Sequence, residues 1–344
     1  MNKNSFIFLS LLLLLGCNKE SVNWFQGTFE EALVDSYNEN KIIMIDFYTD
    51  WWYACNLLDV NTFNANNVSG FLNKNFINLK IDAETKIGQK LFSEFSGTAY
   101  PLILFLDKDK KELDRFYGFY EPEDFLNKIK LILEGKYTFP NLLKQFEAGD
   151  QSSETLSKLA KKYADRGEND KAINLYQLLL QSKNVSFEAY HEAKYYIVSQ
   201  KLWTEGVDPL KIYLTKNNNS PFFKDGVNQL LAFYKNTDTK KELIYYEKYL
   251  NMFLDDPWFL NQYAWRMAEL NENLDNALDK VNIALTLLVS TEKGYANIID
   301  TKAELLWKMG KKNDAVIVIN DAIMLEPENE YYQIQKDKFL QSQN

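Results

Sequence analysis

Cys55 is the residue in this chain best suited to chemistry, and it sits in the stretch Asp50-Trp51-Trp52-Tyr53-Ala54-Cys55-Asn56. A thiolate attacks disulfides and binds soft metals, and its reactivity follows its pKa and exposure. The sequence holds 2 cysteines, Cys17 and Cys55. If Cys17 is modified, Cys55 is left without an intramolecular partner, and two readings stay open. It is a monothiol that forms one mixed disulfide with a partner and cannot resolve it, or it is a small apolar packing residue. Should Cys17 stay free, a Cys17–Cys55 disulfide is the alternative. The single histidine, His191, lies in a helical stretch, Phe187 to Gln200, with no catalytic or metal-ligating partner in view. It is expected to be an ordinary surface or hydrogen-bonded residue, not a base or ligand. Asp255-Asp256-Pro257 reads as a helix start, and Asp107-Lys108-Asp109-Lys110 as a hairpin turn too short for a calcium loop. No phosphate-cradling glycine loop, nucleophile elbow or paired-histidine zinc motif occurs. No metal site and no cofactor is therefore expected.

The elements that position these residues have to come from 344 residues that are 46% hydrophobic and 15% aromatic, with 13 Gly and 7 Pro. That length suits about two domains, and the low Gly and Pro content suits long helices. Net charge is −9, only Arg115, Arg166 and Arg266 are arginine, and no basic run is interleaved with aromatics. This argues against nucleic acid as a partner. At the N-terminus, Lys3 precedes an apolar run from Phe6 to Leu15, followed by Leu14-Leu15-Gly16-Cys17. Such a run is an export signal and falls short of the ~20 apolar residues of a membrane span. The Leu-x-Gly-Cys ending resembles the lipobox of bacterial lipoproteins. The resemblance implies cleavage before Cys17, lipidation of Cys17, and a chain held at an envelope membrane by several acyl chains. Residues 1–16 are then a signal peptide and 17–23 a tether. The protein would face the periplasm, with the outer membrane favoured because no Asp follows Cys17.

From residue 24 to 138 strands and helices alternate. Thr28 to Asn38 is helical, with Phe29, Leu33 and Tyr37 on one face and Thr28 with Glu31 as a capping box. Lys41 to Tyr48 is a continuous apolar strand of the kind buried on both faces. A helix begins over Ala54 to Leu58 and another covers Val68 to Asn75. Phe76 to Asp82 is a strand, Lys86 to Phe95 a helix, and Leu102 to Leu106 a strand that Glu112 to Tyr117 pairs with. Pro122 to Leu133 closes the region as a helix, with Glu121 and Glu123 at its positive end. Alternating strands and helices with a terminal hairpin make an α/β layer arrangement.

The segment Asp46-Phe47-Tyr48-Thr49-Asp50-Trp51, the later Thr98-Ala99-Tyr100-Pro101-Leu102 and the order of elements together resemble a thioredoxin-like domain. The resemblance covers roughly Trp24 to Glu134. It implies that Asp46 is the buried acid that helps move a proton at the resolving thiol, and that Cys55 is that thiol. It also implies a cis peptide before Pro101 at the site. Two departures matter. Trp52 stands where the resemblance places the nucleophilic cysteine, and Asn56 stands where it places a basic residue. Without the first thiol the dithiol cycle has no entry step. The same surface binds extended chains in the family, so Trp51, Trp52, Tyr53, Tyr100 and Pro101 are expected to form an aromatic peptide-binding rim. The alternative has Trp51 packed on the sheet and Trp52 at the helix start.

From Phe139 onward strand signals vanish. Ala160, Tyr163, Gly167, Ala172, Tyr176 and Leu179 repeat their spacing at Ala303, Leu306, Gly310, Ala315, Ile319 and Ala322, and Ala264, Trp265, Ala277 and Ala284 make a third copy. This rhythm resembles tetratricopeptide repeats, in which small residues let two helices approach and the glycine makes the turn. Residues 139–344 are expected to be an array of about five helical pairs, since one repeat cannot bury its face alone. The expected whole is an α/β thioredoxin-like domain followed by an all-α tetratricopeptide-like domain. It would bind a protein or peptide partner through the repeats and the thioredoxin-like face. A thiol-disulfide oxidoreductase or accessory acting through Cys55 is the alternative.

Overall fold

The computed structural model describes residues 21–291 and 294–341, so the expected signal peptide and Cys17 lie outside the described residues. The chain forms two compact units. The first runs to Pro209 and also takes in Ser220–Phe222; the second holds Leu210–Asn219 and the chain from Phe223 onward.

The first unit is built on a four-stranded sheet. Its strands are β1 (Ile42–Tyr48), β2 (Phe76–Asp82), β3 (Leu102–Leu106) and β4 (Glu112–Tyr117). Their order is β2-β1-β3-β4, with β1 parallel to β2 and antiparallel to β3, and β3 antiparallel to β4. The central strands β1 and β3 are apolar on both faces because both faces are covered. One face carries α1 (Phe29–Glu39) and α4 (Lys86–Glu94), through Phe29, Ala32 and Leu91 packed on Ile43, Ile45, Phe47 and Leu104. The other carries α2 (Tyr53–Leu57) with the turn that follows it, α3 (Asn66–Asn75) and α5 (Pro122–Leu133), through Leu58 of that turn, Leu72, Phe125 and Ile129 on Met44, Ile103 and Phe105. The capping box of Thr28 and Glu31 starts α1 as expected.

Two local features depart from the expectation. Helix α2 continues as a π-helical turn over Leu58–Phe63. Leu58 and Phe63, five residues apart, are both buried in the same core, and the wider turn brings that spacing onto one face, which an α-helix would not. The end of the expected tether is fastened rather than free. Val22 is buried in the core, the Asn23 amide donates to Asn73 Oδ1 at 2.7 Å, and Asn73 Nδ2 donates to the Ser21 carbonyl at 2.9 Å. An apolar Val22 is drawn to the core whatever lies before it.

The helical part begins at Phe139, with α6 (Phe139–Glu147), α7 (Ser153–Ala164), α8 (Asn169–Gln181) and α9 (Phe187–Lys201). These helices share a core of Leu142, Leu159, Ala160, Ala172, Tyr176 and Leu179. They also belong to the same compact unit as the sheet. Lys162 of α7 pairs with Asp114 of β4, and Arg166 pairs with Glu112. The Arg166 guanidinium also lies 3.9 Å over the Phe139 ring. The change of fold at Phe139 is thus not a change of packing unit.

Helix α10 (Asp208–Lys216) leads into the second unit, which continues with α11 (Phe223–Thr237), α12 (Thr239–Leu250), α13 (Pro257–Leu270), α14 (Leu274–Leu287), α15 (Tyr295–Lys308), α16 (Lys312–Leu325) and α17 (Glu330–Gln341). Asp256 caps α13 by accepting from the Trp258 and Phe259 amides, the helix start read for Asp255-Asp256-Pro257. The repeat turns show why the third copy is harder to recognise. Gly167 and Gly310 end their helices with φ of 71° and 77°. Asn271 takes the same left-handed place with φ 56°, and Glu272 N donates to Met267 O just as Lys311 N donates to Leu306 O. A second left-handed residue, Asn273, lengthens this turn by one, so Ala277 lies six positions after Asn271 where Ala315 lies five after Gly310. Helix α17 closes the array, with Tyr332 and Phe339 buried against Ala303, Ala315 and Ile319.

Candidate functional site

The stretch around Cys55 leaves the end of β1 and enters α2. Trp52 is the extended residue before the helix, and its carbonyl accepts from the Cys55 amide at 3.0 Å. Asn56 donates its side-chain amide to the Asp50 carbonyl at 3.1 Å, which ties the loop to the first turn. The residue in the basic position thus fastens the backbone instead of supplying a charge.

Trp51, Trp52 and Tyr53 are 63%, 44% and 51% exposed, well above what large aromatics usually show. The two indoles meet edge to face with centroids 5.5 Å apart, and Trp51 Nε1 donates to Glu84 Oε1 at 2.9 Å. Trp51 therefore does not pack on the sheet. Tyr100 is half-buried, with its ring 4.7 Å from that of Phe92. The Tyr100-Pro101 peptide is cis and Pro101 is buried. Of the five expected rim residues, three present open aromatic surface. Burial, the most important cause, and the charges of Glu84, Asp82 and Cys55 raise the Tyr100 pKa.

Cys55 is a free thiol and only 2% exposed. Its pKa is raised, chiefly by burial; a backbone hydrogen bond at Thr49 pulls it down, and the charges of Asp46 and Asp59 push it further up. The group is a protonated thiol at neutral pH, with few of the features that make a cysteine nucleophilic.

Asp46 is 2% exposed. It lies on the same face of β1 as Met44, beneath α2. Burial is the main force on its carboxyl; the charge of Lys80 opposes it and that of Asp59 adds to it, and the result is a pKa pushed up to about 7. Lys80 of β2 stands opposite Asp46 in the parallel register, with Nζ 3.4 Å from Asp46 Oδ2 and bonded to Asp59 Oδ1. The ammonium also lies 5.3 Å from the Trp24 ring centroid and 4.6 Å from that of Tyr48. Asp46 Oδ1 and Thr49 Oγ1 are buried without a hydrogen-bond partner. Lys80 and Asp59 escaped the sequence reading. A lysine in the apolar strand Phe76–Asp82 was the available signal, and the pairing of β2 with β1 gives it meaning.

His191 is neither a surface nor a satisfied residue. It is buried, its ring contacts those of Phe187 and Tyr190 at 4.3 and 5.3 Å, and Nδ1 has no hydrogen-bond partner. Burial first and then the charge of Lys194 lower its pKa, so it packs as a neutral aromatic ring. Among the described residues no group of three or more His, Cys, Asp or Glu is placed to hold a metal ion.

Residues 4–163 match the family model Thioredox_DsbH, whose description is "Protein of unknown function, DUF255". The solution structure of a provisionally named disulphide-isomerase from Bacteroides thetaiotaomicron is 30% identical, with a TM-score of 0.31, and the match covers 33% of this chain and 95% of that one. The chain belongs to the thioredoxin-like family. Thiol:disulfide interchange protein DsbD of Campylobacter jejuni (strain RM1221) is 26% identical over 119 residues, which is 34% of this chain and 21% of that protein. The chain spans between 16% and 24% of the length of the curated relatives it matches. The thioredoxin-like domain is followed by tetratricopeptide-like helices. The crystal structure of YrrB, a TPR protein with an unusual peptide-binding site, is 17% identical with a TM-score of 0.41, covering 57% of this chain and 97% of that one. Among the described residues no helix is long and apolar enough to cross a membrane.

Proposed function

We propose that this chain is an envelope-anchored lipoprotein that binds a protein or peptide partner, and that its thioredoxin-like domain does not turn over disulfides. The observation that carries this reading is the inversion at the motif. The exposed position before α2 holds Trp52, while the one thiol nearby, Cys55, is buried and protonated. Trp52 cannot attack a disulfide or hold a second sulfur, so a dithiol cycle lacks its first step. Three exposed aromatics are instead suited to bury peptide surface at low entropy cost. The helical array is a second binding surface, and two modest sites on one chain reinforce each other through effective concentration. Lipidation at Cys17 would hold the protein on the periplasmic side, at the outer membrane.

The test pairs an insulin-reduction assay with peptide binding followed by tryptophan fluorescence. The wild-type chain is expected to leave insulin intact and to bind extended peptides, and Trp52→Ala to weaken that binding by about tenfold, the worth of one buried aromatic anchor. Turnover of insulin by the wild type, or unchanged binding by Trp52→Ala, would overturn the proposal.

A second reading has one observation in its favour. Asp46 is a buried carboxyl beneath α2, pushed up to about 7 by burial, and its Oδ1 has no hydrogen-bond partner and so is open to a proton. A partner's disulfide reaching Cys55 would give a mixed disulfide, with the displaced partner thiolate leaving and the Cys55 proton passing to Asp46. Isolation of the protein from alkylated cells without reductant distinguishes the two readings. A trapped partner on Cys55 supports the second, and a free thiol the first.

A further inference from the structure

A cavity of about 390 Å³ opens in the first unit, away from Cys55, between β4, α5 and α7. Its size is that of a small-molecule site, typically ~300–1,000 Å³. Its walls are unusual for a chain of net charge −9. Six cations line it, five of them lysines, against two carboxylates, Asp114 and Asp165. Lys158, Lys161 and Lys162 are spaced three and four apart along α7 and so share its face, while Lys128 faces them from α5.

The chain's own acids account for part of this charge. Arg115 is held by Glu112, Lys136 by Glu134 at 2.8 Å, Lys158 by Glu154 at 2.6 Å, and Lys162 by Asp114. Lys128 and Lys161 have no carboxylate within ion-pair distance among the described residues. Asp165, the remaining carboxylate, acts on Lys161 and Lys162 through its charge without a direct bond. Lys128 sits over the rings of Phe116 and Tyr120, 5.6 and 4.7 Å from their centroids. Burial lowers the Lys128 pKa and the charges of Lys161 and Lys162 lower it further, while the charges of Asp114 and Asp165 oppose this without reversing it. Bringing ammonium groups together out of water is unfavourable unless something negative joins them. In the lining of the same cavity, Asp114 is buried and its Oδ1 has no hydrogen-bond partner. An orphaned carboxylate oxygen asks for a donor.

We propose that this cavity binds a small hydroxylated organic anion, its carboxylate or phosphate between Lys128 and Lys161, its body against the Tyr120 ring and its hydroxyl toward Asp114. The unmatched ammonium groups, the aromatic wall and the orphaned acceptor are each satisfied by that one chemistry. The site is separate from the aromatic rim, and its occupancy does not depend on the peptide-binding reading.

The experiment is calorimetric titration of the full chain at low salt with malate, succinate and glycerol 3-phosphate, and with an Asp-rich peptide. Malate or glycerol 3-phosphate is expected to bind, which tells a carboxylate from a phosphate ligand, and succinate, lacking the hydroxyl, to bind more weakly than malate. Lys161→Gln, at an exposed position that leaves the fold intact, and Lys128→Gln are each expected to weaken binding by about tenfold, the scale of one charge-assisted hydrogen bond. Absence of binding by all three small anions would overturn the proposal. So would binding that Lys161→Gln leaves unchanged, or binding of the Asp-rich peptide more tightly than any small anion.

Discussion

Replacing Asp46 with Asn should stabilise the first unit at pH 8 and leave it nearly unchanged at pH 4. In the unfolded chain the carboxyl titrates at 3.8, whereas in the folded protein burial raises it to about 7. Between these values the folded state keeps the proton and the unfolded state has lost it, so stability falls as the pH rises. Below 3.8 both states are protonated and the penalty is absent. At ~1.36 kcal/mol for each pH unit separating the two values, the penalty amounts to about 4 kcal/mol once the pH exceeds both. Lys80 already moderates it, and Lys80 keeps Asp59 when Asp46 is gone. Asn carries no titrating proton, so the stability difference between Asp46→Asn and wild type should grow with pH across this window and level off near pH 8. Peptide-resolved hydrogen exchange in urea, read at the β1 amides, follows this unit separately from the helices of the second. A stability difference that stays flat from pH 4 to pH 8 would refute the claim that Asp46 is a desolvated carboxyl held mainly by burial.

Cys55 should react with iodoacetamide at least about tenfold more slowly than a free thiol in the native protein and at the normal rate in urea, as mass spectrometry of residue 55 would show; fast native labelling would contradict its burial. In the second unit Glu242 is 1% exposed and takes both arms of Arg266 at 2.8 and 2.9 Å. Arg266→Met alone should cost ~3–5 kcal/mol by stranding that carboxylate, and adding Glu242→Leu should recover most of it; thermal unfolding of the single and double variants decides this. Asn271→Ala should cost about 1–2 kcal/mol, the strain of a left-handed residue with a Cβ, while Asn271→Gly should be close to neutral. A measured cost as large for glycine as for alanine would show that the Asn271 side chain, and not its backbone conformation, holds the turn.

How much of the site can be read from sequence depends on which kind of information each residue carries. Cys55, Trp52 and Asn56 are legible because their meaning lies in type and offset along a single strand-to-helix turn. Lys80 and Asp59 are not, since a lysine 34 positions after Asp46 acquires its role only when β2 pairs in parallel with β1 and brings the two side chains to one face. The same holds for the cavity lysines. Lys128 and Lys161 are ordinary charges on two separate helices until the packing of α5 and α7 against β4 makes them neighbours.

Local chain chemistry was sufficient for the elements themselves: the apolar run of β1, the capping box of α1, and the alanine and glycine rhythm at Ala160 to Leu179 all act over a few residues. Where a feature depended on distant partners, the linear pattern was silent or misleading. The π-helical turn at Leu58–Phe63 follows from a shared core, and Val22 joined the domain because there was apolar space for it. His191 lost its expected partner to burial between aromatic rings. Propensity and capping are properties of neighbours along the chain, whereas burial, desolvation and charge pairing arise only when the chain has closed on itself. That is why the elements were legible in the sequence while the protonation of Asp46, the seclusion of Cys55 and the convergence of lysines around the cavity had to wait for the fold.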